Sequence, residues 1–77
     1  MIKLHLYSTV GCHLCERAMV LLKPLLSKRI ELKEIDIVDS DELLDRYGIS
    51  IPVIQRLDNK RELFWPFDSA QLEDFLL

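Results

Sequence analysis

The chain has 77 residues, 49% of them hydrophobic, and thirteen acidic against ten basic side chains leave a net charge of −3. That is one domain, spanning residues 1–77, which buries only ~60–65% of its unfolded surface and so has a modest core. No basic stripe is present to hold nucleic acid, and the longest apolar run, Ala18 to Leu22, is far below the ~20 residues that span a bilayer.

Ile2, Leu4 and Leu6 alternate with Lys3, His5 and Tyr7, the period of a strand with one well-buried face. The same alternation lacks the continuous apolar block and small-residue cleavage site of a secretory signal, so a cytoplasmic location is expected. Ser8 to Gly11 breaks the pattern. From about His13 the period changes: Leu14, Ala18, Leu21 and Leu25 form one stripe, and Cys15, Met19, Leu22 and Leu26 a second one beside it. Two adjacent stripes predict a helix with a broad buried face, which Pro24 kinks or ends.

Ile30 to Val38 is predicted as a second strand. Ile30 and Leu32 share one parity while Ile35 and Ile37 take the other, which suggests a bulge or a frayed start. A short helix over Asp41 to Tyr47 follows, capped by Asp39 or Ser40, with Glu42 in capping-box register to Asp39 and Gly48 as the C′ residue. Pro52 suits the first residue of a third strand running through Val53 to Leu57. Asp58-Asn59-Lys60 is turn chemistry, and Glu62 to Trp65 is the returning strand, stopped by Pro66. Asp68 caps a last helix, with Gln71 in capping-box position and Leu72, Phe75 and Leu76 turned inward. The order strand–helix–strand–helix–strand–strand–helix predicts one mixed sheet with helices on both faces, its first two strands parallel and its last two an antiparallel hairpin.

The only cysteines, Cys12 and Cys15, stand two residues apart where the first strand gives way to the first helix. In a reducing compartment such a pair points to catalysis or metal binding rather than to a structural staple. The spacing puts both sulfurs on one side and allows a short-loop disulfide. The placement divides their roles. Cys12 meets the unpaired N–H groups and positive end of the helix dipole, which favour a thiolate, whereas Cys15 lies on the apolar stripe, where burial disfavours the charged form. A reactive outer thiol and a covered inner one are what thiol–disulfide exchange uses. His13, as an imidazolium beside Cys12, would add to the thiolate's stabilisation, and Glu16 would oppose it. Metal carriage is the competing chemistry: two thiolates can hold Cu(I), contribute to a zinc site, or, with an outside thiol such as glutathione, hold an iron–sulfur cluster shared between two copies. A redox-inactive binding module is a third reading.

The Gly11-Cys12-His13-Leu14-Cys15 segment after the first strand, Ser50-Ile51-Pro52 before the third, and the order of elements together resemble the glutaredoxin branch of the thioredoxin superfamily, over nearly the whole chain. The resemblance implies an α/β thioredoxin-like fold of glutaredoxin type, a βαβ-α-ββα three-layer sandwich around a four-stranded mixed sheet. It further implies a cis Ile51–Pro52 bond facing the cysteines, and a backbone at Ile51 that pairs with an extended substrate. The implied activity is thiol–disulfide exchange on protein or mixed disulfides, with Cys12 attacking and Cys15 resolving, no required cofactor or metal, and a thiol or disulfide protein as substrate or reductant of a monomeric enzyme. The chain departs from the family in three places. His13-Leu14 replaces a Pro-Tyr pair, Thr9 stands where a lysine often meets a glutathione carboxylate, and Trp65-Pro66-Phe67-Asp68 replaces a Gly-Gly pair and its following acid. Thr9 and Asp68 remain candidate substrate contacts, and glutathione binding is expected to be weak.

Overall fold

A computed structural model describes residues 1–77. Its elements are strand β1 (Ile2–Ser8), helix α1 (His13–Leu22), strand β2 (Ile30–Asp36), helix α2 (Asp41–Tyr47), strands β3 (Val53–Arg56) and β4 (Glu62–Phe64), and helix α3 (Ser69–Phe75). The sheet order is β2-β1-β3-β4. β1 pairs in parallel with β2 over seven residues, Ile2 opposite Ile30 through Ser8 opposite Asp36. On its other edge it pairs antiparallel with β3, Leu4 opposite Arg56 through Tyr7 opposite Val53. β3 and β4 form the expected hairpin.

β1 is therefore central, and its two parities serve two cores. Leu4 and Leu6 pack with Ala18 and Leu22 of α1 and with Leu72 and Phe75 of α3. On the opposite face Tyr7 and Val53 pack with Tyr47 at the end of α2 and with Ile37. This explains the parity change in β2 without the bulge or frayed start that the sequence suggests. The ladder from Ile30 to Asp36 is unbroken. Ile30 and Leu32 lean on the α1–α3 core, and Ile35 leans on the α2 core. The strand also stops at Asp36 rather than Val38. The Asp36 carboxylate accepts from the Val38 N–H at 3.1 Å and turns Ile37–Asp39 into a single 3₁₀ turn.

That turn takes Asp39 out of the capping position, and Ser40, in extended backbone, caps α2 instead. Gly48 is right-handed at the end of α2, not a left-handed C′ residue. Its missing side chain still matters, because a Cβ there would lie 2.5 Å from the Leu44 carbonyl oxygen. Pro24 sits in a 3₁₀ turn, Lys23–Leu25, that ends α1. The Asp68–Gln71 capping box at α3 forms as expected.

Two polar clusters sit inside this framework. The Tyr7 and Tyr47 rings stack at 4.3 Å. The Tyr7 hydroxyl donates to Gln55 Oε1 at 2.8 Å, and the Tyr47 hydroxyl donates to Glu62. Burial, reinforced by the Glu62 carboxylate, pushes the Tyr47 phenol well above its ordinary range. At the other end of β3, Arg56 is buried. Its Nη1 donates to the main-chain oxygens of Phe75 and Leu77, both at 2.9 Å, and its Nε and Nη2 clasp Asp58 at 3.0 and 2.6 Å. The C-terminal end of a seven-residue helix, too short to persist alone, is thereby tied to the sheet.

Two outcomes follow. Arg56→Met should lower unfolding free energy in urea by about 2 kcal/mol, since the Phe75 and Leu77 oxygens lose a charged donor. Hydrogen bonding to Arg56 holds the Asp58 carboxyl below its ordinary 3.8. The contribution of that pair is thus present above 3.8 and lost as pH falls through the lower folded value, so the gap between variant and wild type should narrow in strong acid. Tyr47→Phe should cost about 1 kcal/mol at neutral pH. The raised folded value means the native state keeps a proton that the unfolded chain releases above about pH 10. Wild-type stability should then fall more steeply than that of Tyr47→Phe as pH rises past 10, by up to about 1.4 kcal/mol per pH unit.

Candidate functional site

The C-terminal end of β1 runs into the turn Thr9–Cys12. Gly11 takes φ +80°, a left-handed conformation that side chains resist, and a Cβ there would meet nothing within 4 Å. The glycine is thus required by backbone conformation and not by space. The Cys12 N–H closes the turn on the Thr9 carbonyl at 3.3 Å. Cys12 itself is extended (φ −84°, ψ 101°) and is the N-cap of α1.

Cys12 and Cys15 are joined as a disulfide with their Cα atoms 5.2 Å apart. The Cys12 Sγ accepts from the Cys15 N–H at 3.1 Å, taking the part that a serine or aspartate oxygen usually plays at a cap. The Cys12 carbonyl accepts the first helical bond, from the Glu16 N–H at 3.2 Å. The N–H groups of His13 and Leu14 have no acceptor within the chain, so the helix directs unpaired donors and its positive end toward the Cys12 sulfur. Cys12 is half-buried, while Cys15 is 5% exposed and faces the α1 interior stripe. The expected asymmetry of the pair is present in its burial.

The other sequence-derived positions are distributed around it. His13 points into solvent, its side chain 92% exposed, and its Nδ1 lies 3.6 Å from Glu16 Oε2. Its closest charged neighbour is therefore a carboxylate. The Ile51–Pro52 bond is cis. Continuing the β1–β3 ladder one step beyond Tyr7–Val53 sets Pro52 opposite Ser8, at the end of the sheet where the cysteine turn begins. Pro52 is buried and Ile51 half-buried. The Ile51 N–H already donates to the Tyr47 carbonyl at 3.2 Å, as does the Ser50 N–H at 2.8 Å. The last carbonyl of α2 therefore braces the loop, and one of the two main-chain groups that could pair with a substrate strand is engaged internally.

A cleft of about 240 Å³ opens beside the disulfide, lined by Thr9, Val10, Gly11, Cys12, Cys15, Glu16, Met19 and Glu34. Thr9 thus shares a surface with the cysteines. Asp68 does not: it caps α3 and lines a different groove, with Arg17, Trp65 and Pro66. In that groove the Arg17 guanidinium lies 5.6 Å from the Trp65 ring, and Trp65 meets the buried Phe67 edge-on at 5.0 Å. The Trp65–Pro66 bond is also cis. Ser8 and Glu34 were not legible as site residues from sequence. Ser8 is 2% exposed and its hydroxyl donates to Glu34 Oε2 at 2.9 Å. The available signal was parity: Glu34 falls in the same alternation as Ile30 and Leu32, on the face that carries α1.

The family model "Glutaredoxin-like domain (DUF836)" matches residues 3–77. No functionally curated protein matches the chain. Among solved structures, the X-ray structure of protein XcR50 from X. campestris is 34% identical, with 95% of this chain and 93% of that one covered at a TM-score of 0.81. Protein Ne2328 from Nitrosomonas europaea is 32% identical, with 96% and 89% covered at 0.80. Thioredoxin 1 from Thermosipho africanus, at 15% identity, covers 96% of this chain and 93% of its own with a TM-score of 0.61, which speaks for the thioredoxin-like fold alone.

Proposed function

The chain belongs to the glutaredoxin-like domain family, and on that premise we propose that it is a thiol–disulfide oxidoreductase acting on protein or mixed disulfides. The observation that carries this reading is the disulfide at the entrance of α1, with one sulfur half-exposed at a helix N-terminus and the other buried behind it. In the reduced protein the Cys12 thiolate attacks a substrate disulfide, forms a mixed disulfide and expels one substrate thiolate. Cys15 then attacks the Cys12 sulfur, expels the second substrate thiolate and restores the Cys12–Cys15 bond. Two electrons pass from the pair to the substrate; the Cys15 proton goes to one leaving sulfur, and the other takes its proton from solvent.

The chain's own residues support each step. The unpaired N–H groups of His13 and Leu14 favour negative charge on Cys12. The Cys15 N–H, within 3.1 Å of the same sulfur, steadies its negative charge before it attacks. Burial disfavours the charged form of Cys15, and the mixed disulfide turns the Cys12 sulfur one helical turn away into a group that Cys15 can attack. Ile51 and Pro52 flank the approach at the sheet's end, with the Ile51 carbonyl as the main-chain partner for an extended segment. His13 is too exposed, and too near Glu16, to be assigned more than a small electrostatic share.

Cys15→Ser should accumulate a mixed disulfide through Cys12, visible by non-reducing electrophoresis and intact mass. Cys12→Ser should trap almost none, and thiolate absorbance against pH should show Cys12 ionising before Cys15. If Cys12→Ser is the variant that traps, or Cys15 ionises first, the assignment of roles is reversed. Glutathione should be a poor substrate, because Thr9 supplies no cation and Trp65 and Pro66 occupy the corresponding groove. Turnover of a glutathione mixed disulfide at rates typical of glutaredoxins would overturn that expectation.

A further inference from the structure

We propose that the cleft beside Cys12 selects disulfides carried by polypeptide segments with a lysine or arginine next to the reacting cysteine, and that Glu34 and Glu16 set this preference. The inference rests on the oxidoreductase reading and adds to it the charge of the substrate.

Of the eight residues lining the cleft, two are carboxylates and none is a cation. Glu34 does not wave freely from the surface. The buried Ser8 hydroxyl holds its Oε2 at 2.9 Å, against the floor of the sheet and on the face that carries the cysteines. A carboxylate has about four acceptor positions, and Ser8 uses one. Glu16 closes the cleft from α1, one turn beyond Cys12. Of the basic side chains nearby, Arg17 lies over Trp65 in the neighbouring groove, and His13 meets Glu16 at 3.6 Å from the solvent side, its side chain 92% exposed, and leaves Glu34 untouched. Lys33 has the opposite parity to Glu34 in β2 and opens on a different hollow, with Lys3 and His5. A basic side chain entering beside the substrate sulfur therefore meets two negative groups, while an acidic one, or the carboxylates of glutathione, is repelled.

The rim argues for a polypeptide rather than a small cationic disulfide. Val10 is 91% exposed and Leu14 41% exposed, two residues before and two residues after Cys12. These side chains offer apolar contact that only a neighbouring stretch of chain can use. The electron and proton balance is that of the exchange above, with the leaving thiolates on the peptide.

The test uses the full chain, reduced with dithiothreitol and desalted. It is mixed with the symmetrical disulfides of three blocked peptides, Ala-Cys-Lys-Ala, Ala-Cys-Gln-Ala and Ala-Cys-Glu-Ala, and with cystamine. Oxidation of the Cys12–Cys15 pair is followed by quenched alkylation, and each rate is divided by the rate of the same disulfide with dithiothreitol, which removes intrinsic reactivity. At about 20 mM salt the Lys peptide should exceed the Glu peptide by about tenfold or more, with the Gln peptide between. In Glu16→Gln/Glu34→Gln, and in wild type at about 0.5 M salt, the ratio should fall to about threefold or less. Glu73→Gln/Asp74→Asn, which removes the same two negative charges from α3 beside Ile30 at the other end of the sheet, should leave the ratio unchanged and so separates a local effect from net charge. A wild-type ratio near one, or a ratio that survives in the double variant, overturns the inference while leaving the oxidoreductase reading intact. A normalised cystamine rate above that of the Lys peptide overturns the polypeptide assignment. If dithiothreitol reduces every disulfide and the protein reduces none, the oxidoreductase reading fails and this inference fails with it.

Discussion

Everything in this molecule depends on β1 being hydrogen-bonded on both edges. Pairing with β2 on one side and β3 on the other puts β1 in the middle of the sheet, with Leu4 and Leu6 on one face and Tyr7 on the other that would otherwise meet water. Both faces have to be covered, one by α1 and α3 and the other by α2. That requirement divides a 77-residue chain into two small cores. It also makes the C-terminal end of β1 the one place where the central strand, the α1 entrance and the loop before β3 converge. The reactive pair sits at this junction because three elements have their ends fixed there.

Local chemistry then makes the two cysteines unequal. Cys12 caps a helix with its sulfur, so its electrostatic surroundings are set by main-chain donors that no side-chain substitution removes. Cys15 is three residues on, and the helix period alone turns it inward against the sheet. The α2 side contributes through its last residue. The Tyr47 carbonyl holds the Ile51 and Ser50 N–H groups, while its ring stacks on Tyr7 and its hydroxyl reaches Glu62. One residue thereby links the loop beside the cysteines, the central strand and β4.

Most of this was legible in the sequence. The alternation of Ile2, Leu4 and Leu6, the paired stripes through Cys15 and Ala18, and the Asp68–Gln71 box each state a local preference that the fold leaves in place. The failures have physical causes. The parity change between Leu32 and Ile35 resembles a bulge only when one face of a sheet is assumed to be buried; here different helices cover the two ends of β2 on opposite faces. Asp39 and Ser40 have equal title to a cap, and the choice was made by the turn that Asp36 initiates upstream. Glu34 carries no signal of its own in the sequence, because an acid between a lysine and an isoleucine looks like a solvated strand residue. Its significance comes from Ser8, twenty-six positions earlier, which only the parallel pairing brings beside it.

The Cys12–Cys15 bond joins neighbours within a single turn of helix, and no two distant parts of the chain depend on it. The architecture is held instead by strand pairing, two apolar cores and the Arg56 clasp. Oxidation state is therefore recorded without being built into the scaffold. In the proposed exchange the same body presents a closed sulfur bridge in one form and two free thiol groups in the other, much as a key can change one tooth while its shank stays the same. A partner in that exchange would tell the two forms apart by touching that spot, the one place where their covalent bonding differs.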